Sequence, residues 1–251
     1  MHTISTKLKH RFAGLHVKRT ALCLCAGFLI TGCIPQSQVK RTDNTTPQPG
    51  SIVNAGPNPM FNLALHGKEG AAKEMADWVV RSRDNKNMPF AIVDKIQAKV
   101  YAYDAHGNQQ GEAPVLLGLA KGDYSPPGIG DKPLSQIKPE QRITPAGRFV
   151  ARMGRNHKGK DILWVDYDEA LSLHAVVKGV PKDRRAQRLA SETPLDNRIS
   201  FGCINVPKPF FKDVIHSKFS GTASVIYILP ETKEFGNYNV GKISSPSTPE
   251  G

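Results

Sequence analysis

The chain has 251 residues, 39% of them hydrophobic, and a formal net charge of +12. This length is enough for one sizeable hydrophobic core and little more. A basic chain suggests nucleic acid as a partner, but no basic helix or aromatic RNA-binding signature is present.

The N-terminus has the pattern of a secretory signal. Residues 1–19 carry five Lys or Arg residues and no acid, and an apolar run too short to span a bilayer follows at Ala21–Ile30. The run ends at the segment Leu29–Cys33, which resembles the bacterial lipobox. We therefore expect residues 1–32 to be a signal peptide and Cys33 to be acylated, which would anchor the protein to a membrane. An ordinary signal peptide or a short anchor helix is the alternative.

Composition divides the rest of the chain into a tether, a helical segment, a main domain and a tail. Residues 33–59 are rich in Pro, Ser, Thr, Gln and Asn, which predicts a flexible tether. Residues 60–88 contain an amphipathic pattern at Ala71–Arg83, which predicts a short helix. Residues 89–232 form the predicted main domain. Residues 233–251, rich in Gly, Ser and Pro, form a predicted flexible tail.

The sequence of the main domain predicts a mainly β fold, because short β-rich runs alternate with turn residues. An antiparallel meander fits the early strands best, a long loop is expected at Lys121–Gln141, and a short helix at Pro209–His216. The predicted strands are Phe90–Asp94, Lys99–Tyr103, Pro114–Ala120, Ile162–Tyr167, Leu171–Val177 and Ser224–Leu229.

Cys203 is the only one of the four cysteines that belongs to the main domain. Disulfide and metal-cluster interpretations need partner residues that it does not have, and no His-Glu-x-x-His motif is present. A lone cysteine of this kind is a candidate nucleophile, which needs a base to form its thiolate.

Histidine is the natural partner, and five histidines lie outside the predicted signal. His66, His106 and His157 sit in loop-like sequence, and His216 falls at the end of the predicted short helix. His174 instead lies at the end of an apolar run, which would fix its imidazole on a rigid strand. We therefore favour His174 as the base.

The order of Thr144–Phe149, His174 and Ser200–Asn205 resembles the catalytic domain of bacterial L,D-transpeptidases, over about residues 90–230. The resemblance implies a β-sandwich or barrel of mixed sheets, with an N-terminal helix and a short helix after the cysteine. It further implies that Cys203 is the nucleophile and His174 the general base, oriented by a backbone carbonyl. No cofactor or metal is expected.

Other residues of the motif are assigned supporting roles. Gly202 permits an unusual backbone conformation and lets a substrate carbonyl approach nearby amides, although a simple turn glycine is the alternative. Ser200 and Asn205 are interpreted as supports for the loop, and Phe201 and Arg198 as further binding or supporting residues.

The implied substrate is the peptidoglycan stem peptide, attacked by Cys203 to form a thioester. An amine of another stem, a protein lysine or water would resolve it, giving 3-3 crosslinking, protein attachment or carboxypeptidase activity. Carbapenems are the expected inhibitors. The expected location is the periplasm, with a lipid anchor at the inner leaflet of the outer membrane, because Ile34 is not the aspartate that indicates inner-membrane retention.

Two departures from the family pattern stand out. Phe201 occupies the position of the family's second histidine, and the spacer between His174 and Cys203 is long, with a basic segment at Lys178–Asn197. That segment is either a lid with Arg184, Arg185 and Arg188 facing carboxylates, or a solvated loop. A catalytically idle wall-binding lipoprotein is therefore the alternative to an enzyme. A sortase-like enzyme fits poorly, because no arginine closely follows Cys203.

Overall fold

The computed structural model describes residues 70–232. The predicted signal peptide, Cys33, the tether and the tail lie outside this range. The predicted N-terminal helix is confirmed with bounds that differ by one residue at its end. The α- and π-helical segments are α1 (Ala71–Ser82), α2 (Arg185–Ala190), α3 (Lys208–Phe210), a π-helical turn (Phe211–His216) and α4 (Ser217–Phe219).

Ten strands account for most of the remaining regular structure in this part of the chain. They are β1 (Phe90–Asp94), β2 (Lys99–Tyr103), β3 (Gln109–Pro114), β4 (Leu117–Gly118), β5 (Gly147–Arg155), β6 (Asp161–Asp166), β7 (Leu171–Ala175), β8 (Arg198–Ser200), β9 (Ile204–Val206) and β10 (Ala223–Ile228).

Eight of these strands form one mixed sheet in the order β3-β2-β1-β10-β5-β6-β7-β9. The sheet nearly closes into a barrel, because Leu116, just after β3 at one edge, bridges Asn205 in β9 at the other edge. Their reciprocal N–H to carbonyl hydrogen bonds measure 2.8 and 2.9 Å. The predicted mainly β fold of mixed sheets is confirmed.

The sheet has a core on each side. Along β1, Ala91 and Val93 face the barrel interior, whereas Phe90 and Ile92 face the other way, towards α1. This follows from the two-residue period of a strand. Because both faces of β1 are covered, its sequence is an almost continuous apolar run rather than an alternating one.

Helices close the two cores. Met75 and Val79 of α1 are fully buried against the outer face of the sheet. The helical segment at residues 208–219 contributes Phe211, Ile215 and Phe219 to the barrel interior. The predicted helix at Pro209–His216 is therefore confirmed, and is longer at both ends.

The connectivity differs from the expected antiparallel meander in two respects. β1 pairs with β10 in parallel, and β7 pairs with β9 in parallel. The apolar run Pro114–Ala120 is not one strand either, because the chain changes partners there: Val115 bonds to Ala98, and Leu116 bonds to β9. Buried apolar sequence indicates a strand but does not show which strand it joins.

Among residues 70–232, no helix combines the length and the apolar character needed to cross a bilayer.

Candidate active site

Cys203 lies in a three-residue connection between β8 and β9. The parallel pairing of β7 with β9 sets Leu173 opposite Ile204 and His174 opposite Asn205. One step back along both strands, the same register brings Cys203 next to Ser172. The long spacer between His174 and Cys203 is therefore the crossover connection that a parallel strand pair requires.

The thiol of Cys203 is partly buried and is surrounded by residues of β7 and the turn before it. The Ser172 hydroxyl donates a hydrogen bond to the Cys203 Sγ at 3.4 Å. The carbonyl oxygen of Ala170 lies 3.5 Å from the same Sγ and can accept the thiol proton. The Ser172 hydroxyl and the Ala170 carbonyl thus contact the sulfur from the side of β7.

His174 faces the same side of β7 as Ser172, because the two residues are two apart in a strand. Its Nδ1 lies 2.9 Å from the carbonyl oxygen of Ala175. A carbonyl only accepts, so Nδ1 carries the proton and Nε2 is left for the thiol. This is the backbone-carbonyl orientation of the histidine that the family resemblance implies.

The pKa values of the two groups move in opposite directions. Burial raises the pKa of the Cys203 thiol, but the hydrogen bond and charge of His174, together with hydrogen bonds from Ser172, leave that pKa below its usual value. Burial lowers the pKa of His174, but the interaction with Cys203 more than offsets it and raises that pKa. Both directions favour a thiolate beside an imidazolium.

Ser200 and Asn205 hold the backbone of the cysteine loop from both sides. The Ser200 hydroxyl donates to the Cys203 carbonyl at 2.7 Å, and the Asn205 Nδ2 donates to the same oxygen at 3.1 Å. Ser200 also accepts the N–H of Gly202 at 3.1 Å. Neither side chain contacts Sγ, so their contacts fit a supporting role.

Gly202 occupies a position that admits no side chain. Its φ of 131° lies in a region that favours glycine, and a Cβ there would stand 2.8 Å from the carbonyl oxygen of Ile143. A side chain at position 202 would therefore collide with the backbone carbonyl of Ile143 in the protein itself.

Thr144, the first residue of the Thr144–Phe149 motif, fixes that neighbouring segment to the loop. Its fully buried hydroxyl donates to the Gly202 carbonyl at 2.6 Å and accepts the Gly118 N–H at 2.8 Å. The hydroxyl therefore uses both its donor and an acceptor position to join three segments of the chain.

A buried ionic network lies directly behind Thr144. The fully buried Lys95 ammonium donates to the Thr144 carbonyl at 2.9 Å, to Asp123 at 2.6 Å and to the Gly122 carbonyl at 2.5 Å. Burial raises the pKa of Asp123, but Lys95 and further hydrogen bonds lower it to below its usual value. The ammonium is thus fully hydrogen-bonded, as a buried charge requires.

Arg198 belongs to this network. Its Nη2 donates to the Glu231 carboxylate and, at 3.1 Å, to the Lys95 carbonyl. The Glu231 carboxylate also lies 3.5 Å from the Lys95 ammonium. Arg198 therefore anchors β8 to the buried ionic network, and its hydrogen bonds go to Gly118, Lys95 and Glu231.

Phe201 contacts an arginine. The guanidinium carbon of Arg142 lies 4.0 Å from the centroid of the Phe201 ring, a cation–π distance. The position that the family resemblance assigns to a second histidine is therefore occupied by an aromatic ring that supports a cation.

The basic spacer folds onto the site. Arg185 of α2 donates to the Asn205 Oδ1 at 3.2 Å and pairs with Asp183 at the same distance. Arg188 donates to the carbonyls of Asp183 and Asp196, so it links two parts of the spacer. Of the predicted lid arginines, Arg185 reaches the motif and Arg188 is engaged within the spacer.

Sequence reasoning missed Ser172, Arg142 and the role of Thr144. Ser172 could have been found, since a strand residue two positions before His174 shares its face. The contacts of Arg142 with Phe201 and of Thr144 with Gly202 leave no local signal in the sequence. The segments that hold these residues lie far apart in the chain, with 58 positions between Thr144 and Gly202, and they meet only in the fold. Residues 70–232 contain no cluster of three metal-binding side chains.

No protein-family model matches the chain, and no curated protein sequence matches it. Solved structures are similar to it. One is an L,D-transpeptidase in complex with imipenem, with 15% identity, 57% of this chain and 59% of that chain covered, and a TM-score of 0.36. The chain thus spans about three fifths of the length of that structure.

Two further similar structures come from named bacteria. The catalytic domain of an Enterococcus faecium L,D-transpeptidase has 17% identity, with 57% of this chain and 98% of that chain covered and a TM-score of 0.31. The helical cell shape determining protein of Campylobacter jejuni has 14% identity, with 70% and 58% covered and a TM-score of 0.36. The solved structures to which this chain is similar include L,D-transpeptidase catalytic domains, the family that its sequence resembles.

Proposed function

We propose that this protein is a cysteine acyltransferase that acts on peptidoglycan stem peptides, as an L,D-transpeptidase. The observation that carries the proposal is the site formed by Cys203, His174 and Ser172. A thiol with a lowered pKa, a histidine with a raised pKa and a carbonyl that fixes the histidine tautomer are the parts that nucleophilic catalysis needs.

In the acylation step, the Cys203 thiolate attacks the carbonyl carbon of the third residue of a donor tetrapeptide. The tetrahedral intermediate then collapses, and the bond to the nitrogen of the terminal D-alanine breaks. The His174 imidazolium gives its proton to that nitrogen, so D-alanine leaves as an amine and a thioester remains on Cys203.

In the second step, an acceptor amine attacks the thioester carbonyl. Neutral His174 takes a proton from the attacking nitrogen, the carbon–sulfur bond breaks, and Cys203 leaves as the thiolate. The product is an amide, and the site returns to its thiolate–imidazolium form. With water as the acceptor, the same steps would give carboxypeptidase activity.

The oxyanion of the tetrahedral intermediate needs N–H donors near Cys203. The Gly202 N–H already donates to Ser200, and the Gly202 carbonyl is held by Thr144. We therefore assign the principal donor role to the N–H of Cys203 itself. Gly202 supports it by allowing the backbone to turn at a place where a side chain would collide.

Intact mass after incubation with a carbapenem tests the nucleophile. We expect one covalent adduct on the wild type and none on Cys203→Ala. An unmodified wild type, or an adduct that persists in the variant, would favour the catalytically idle wall-binding alternative raised by Phe201.

Muropeptide profiles of cells that express the wild type or Cys203→Ala test the acceptor. Crosslinked 3-3 dimers that depend on Cys203 would support transpeptidation, whereas tripeptides alone would indicate hydrolysis.

The proposed location is the periplasm, with the protein anchored through acylated Cys33. Labelling with a radioactive fatty acid tests this: wild type should carry label, and Cys33→Ser should not. Equal labelling of both proteins would contradict the anchor.

A further inference from the structure

Arg142 is held rigidly beside the cysteine loop. Its guanidinium stacks on the Phe201 ring at 4.0 Å, and its Nε and Nη2 both donate to the Ile137 carbonyl, at 3.2 and 3.1 Å. A planar group fixed by a ring and a carbonyl loses little further freedom when it binds a ligand.

Arg142 differs from three other partly buried arginines in having no acidic partner among residues 70–232. Arg148 pairs with Asp84, Arg185 with Asp183, and Arg198 with Glu231. None of the ion pairs between residues 70 and 232 includes Arg142. A guanidinium has five N–H donors, and the Ile137 carbonyl engages only two of its nitrogens. Arg142 is thus an ordered, half-buried cation, and the Ile137 carbonyl leaves some of its N–H donors available to a ligand.

The position of Arg142 relates it to the proposed reaction. The segment Arg142–Thr144 runs directly along the cysteine loop, since the Ile143 carbonyl packs against Gly202 and Thr144 hydrogen-bonds to it. Phe201, which carries the guanidinium, is two residues before Cys203. An anion bound by Arg142 would therefore lie at the edge of the site.

We infer that Arg142 binds a carboxylate of the acyl donor, with Phe201 as the platform that orients it; this deepens the proposed function and rests on it. The terminal carboxylate of the donor lies one residue beyond the scissile carbonyl, roughly 4 Å along the peptide. A guanidinium can bind a carboxylate through two parallel hydrogen bonds. Phe201 thus acquires a role in substrate selection as the ring on which Arg142 stacks.

Two donor peptides that differ only at the C-terminus, one a free acid and one an amide, test the inference. Their dissociation constants are measured by calorimetry with the full chain carrying Cys203→Ala, which removes turnover. We expect the acid to bind at least tenfold more tightly than the amide. Adding Arg142→Gln should abolish this preference by weakening the acid alone, and adding Phe201→Leu should reduce it.

Arg155→Gln is the matched control, because Arg155 is an exposed arginine whose partner is Asp161. It should retain the full preference for the acid. Equal binding of acid and amide, weakening of both peptides by Arg142→Gln, or no binding of either would overturn the inference.

Turnover by proteins that retain Cys203 separates this inference from the proposed function. If the acid is preferred through Arg142 but no peptide is turned over and no carbapenem adduct forms, the proposed reaction fails and the carboxylate site stands. If turnover occurs without any dependence on Arg142, the reaction stands and the carboxylate site fails.

Discussion

The Thr144 hydroxyl and the Gly202 carbonyl are joined by a buried hydrogen bond of 2.6 Å. Through it, the loop that carries Cys203 is tied to a segment that begins at Arg142 and is itself held by Lys95. Cys203 is therefore positioned from two directions. His174 and Ser172 act on its sulfur, and Thr144 acts on the backbone one residue before it.

Replacing Thr144 by valine keeps the side-chain shape and removes the hydroxyl. The buried Gly118 N–H and Gly202 carbonyl would lose their partner, and we expect a loss of about 1–3 kcal/mol in the free energy of unfolding. Chemical denaturation measures this, and the alkylation rate of Cys203 by iodoacetamide measures the effect on the loop.

Thr144→Ser is the control for this change, since it keeps the hydroxyl and loses only a methyl group. We expect it to preserve the wild-type alkylation rate, whereas Thr144→Val should lower it. Equal rates in the two variants would show that the hydrogen bond does not position Cys203.

Replacing Lys95 by methionine leaves Asp123 buried without its cation. We expect the free energy of unfolding to fall by about 3–5 kcal/mol, as when one member of a buried ion pair is removed. Lys99→Met is the control, because Lys99 and Glu112 form a half-exposed pair at 3.7 Å. Such a pair contributes about 1 kcal/mol or less.

The double variant Lys95→Met with Asp123→Asn tests the cause of this loss. Removing the uncompensated charge should recover part of the stability lost in Lys95→Met. Asp123→Asn alone measures the cost of changing the carboxylate that accepts the Glu231 and Thr232 N–H groups, both at 2.9 Å. If, after this cost is subtracted, the double variant is no more stable than Lys95→Met, the loss comes from packing rather than from charge.

The elements that bury apolar residues in a regular pattern were predictable from sequence. Phe90–Asp94 and Lys99–Tyr103 are strands with the predicted bounds. The parallel pairings were not, because β1 pairs with β10 across more than half of the chain. Local pattern sets the face that a strand buries, but the partner strand depends on the closure of the whole sheet.

At the candidate site, too, some features could be predicted from the local sequence and others depend on the whole fold. Cys203 and His174 were predicted as nucleophile and base because their residue types suit that chemistry, and in the fold the two side chains interact. The partners of Phe201 and Gly202 lie on a segment far away in the chain. Their contacts to Arg142 and Thr144 depend on tertiary packing, which no local spacing encodes.

Gly202→Ala should impair both folding and reaction. Its Cβ would lie 2.8 Å from the Ile143 carbonyl, and its φ of 131° is unfavourable for alanine. We expect a loss of about 1–3 kcal/mol in the free energy of unfolding and slower carbapenem acylation.

Gly221→Ala provides the comparison. Gly221 also has a positive φ, of 78°, but a Cβ there would meet no atom within 4 Å. It should cost only the backbone strain, about 1 kcal/mol, and leave acylation unchanged. Equal effects of the two substitutions on acylation would exclude a role for the close approach to Ile143.

The pH dependence of Cys203 alkylation tests the coupling to His174. The lowered thiol pKa means that thiolate persists to lower pH, so the midpoint of the rate profile should lie below the value of about 8.5 for a free cysteine. In His174→Ala the partner that lowers the thiol pKa most is gone, while burial, which raises it, remains. The midpoint should then move above that of the wild type.

His157→Ala controls for the loss of a histidine, because His157 is exposed in a turn. Its alkylation profile should match the wild type. Acyl transfer should also need the imidazolium as the proton donor, so its rate should rise through the lowered pKa of Cys203 and fall through the raised pKa of His174. If His174→Ala left the alkylation midpoint unchanged, His174 would not be the partner of the thiol, and the proton transfers proposed for both steps would lose their donor and acceptor.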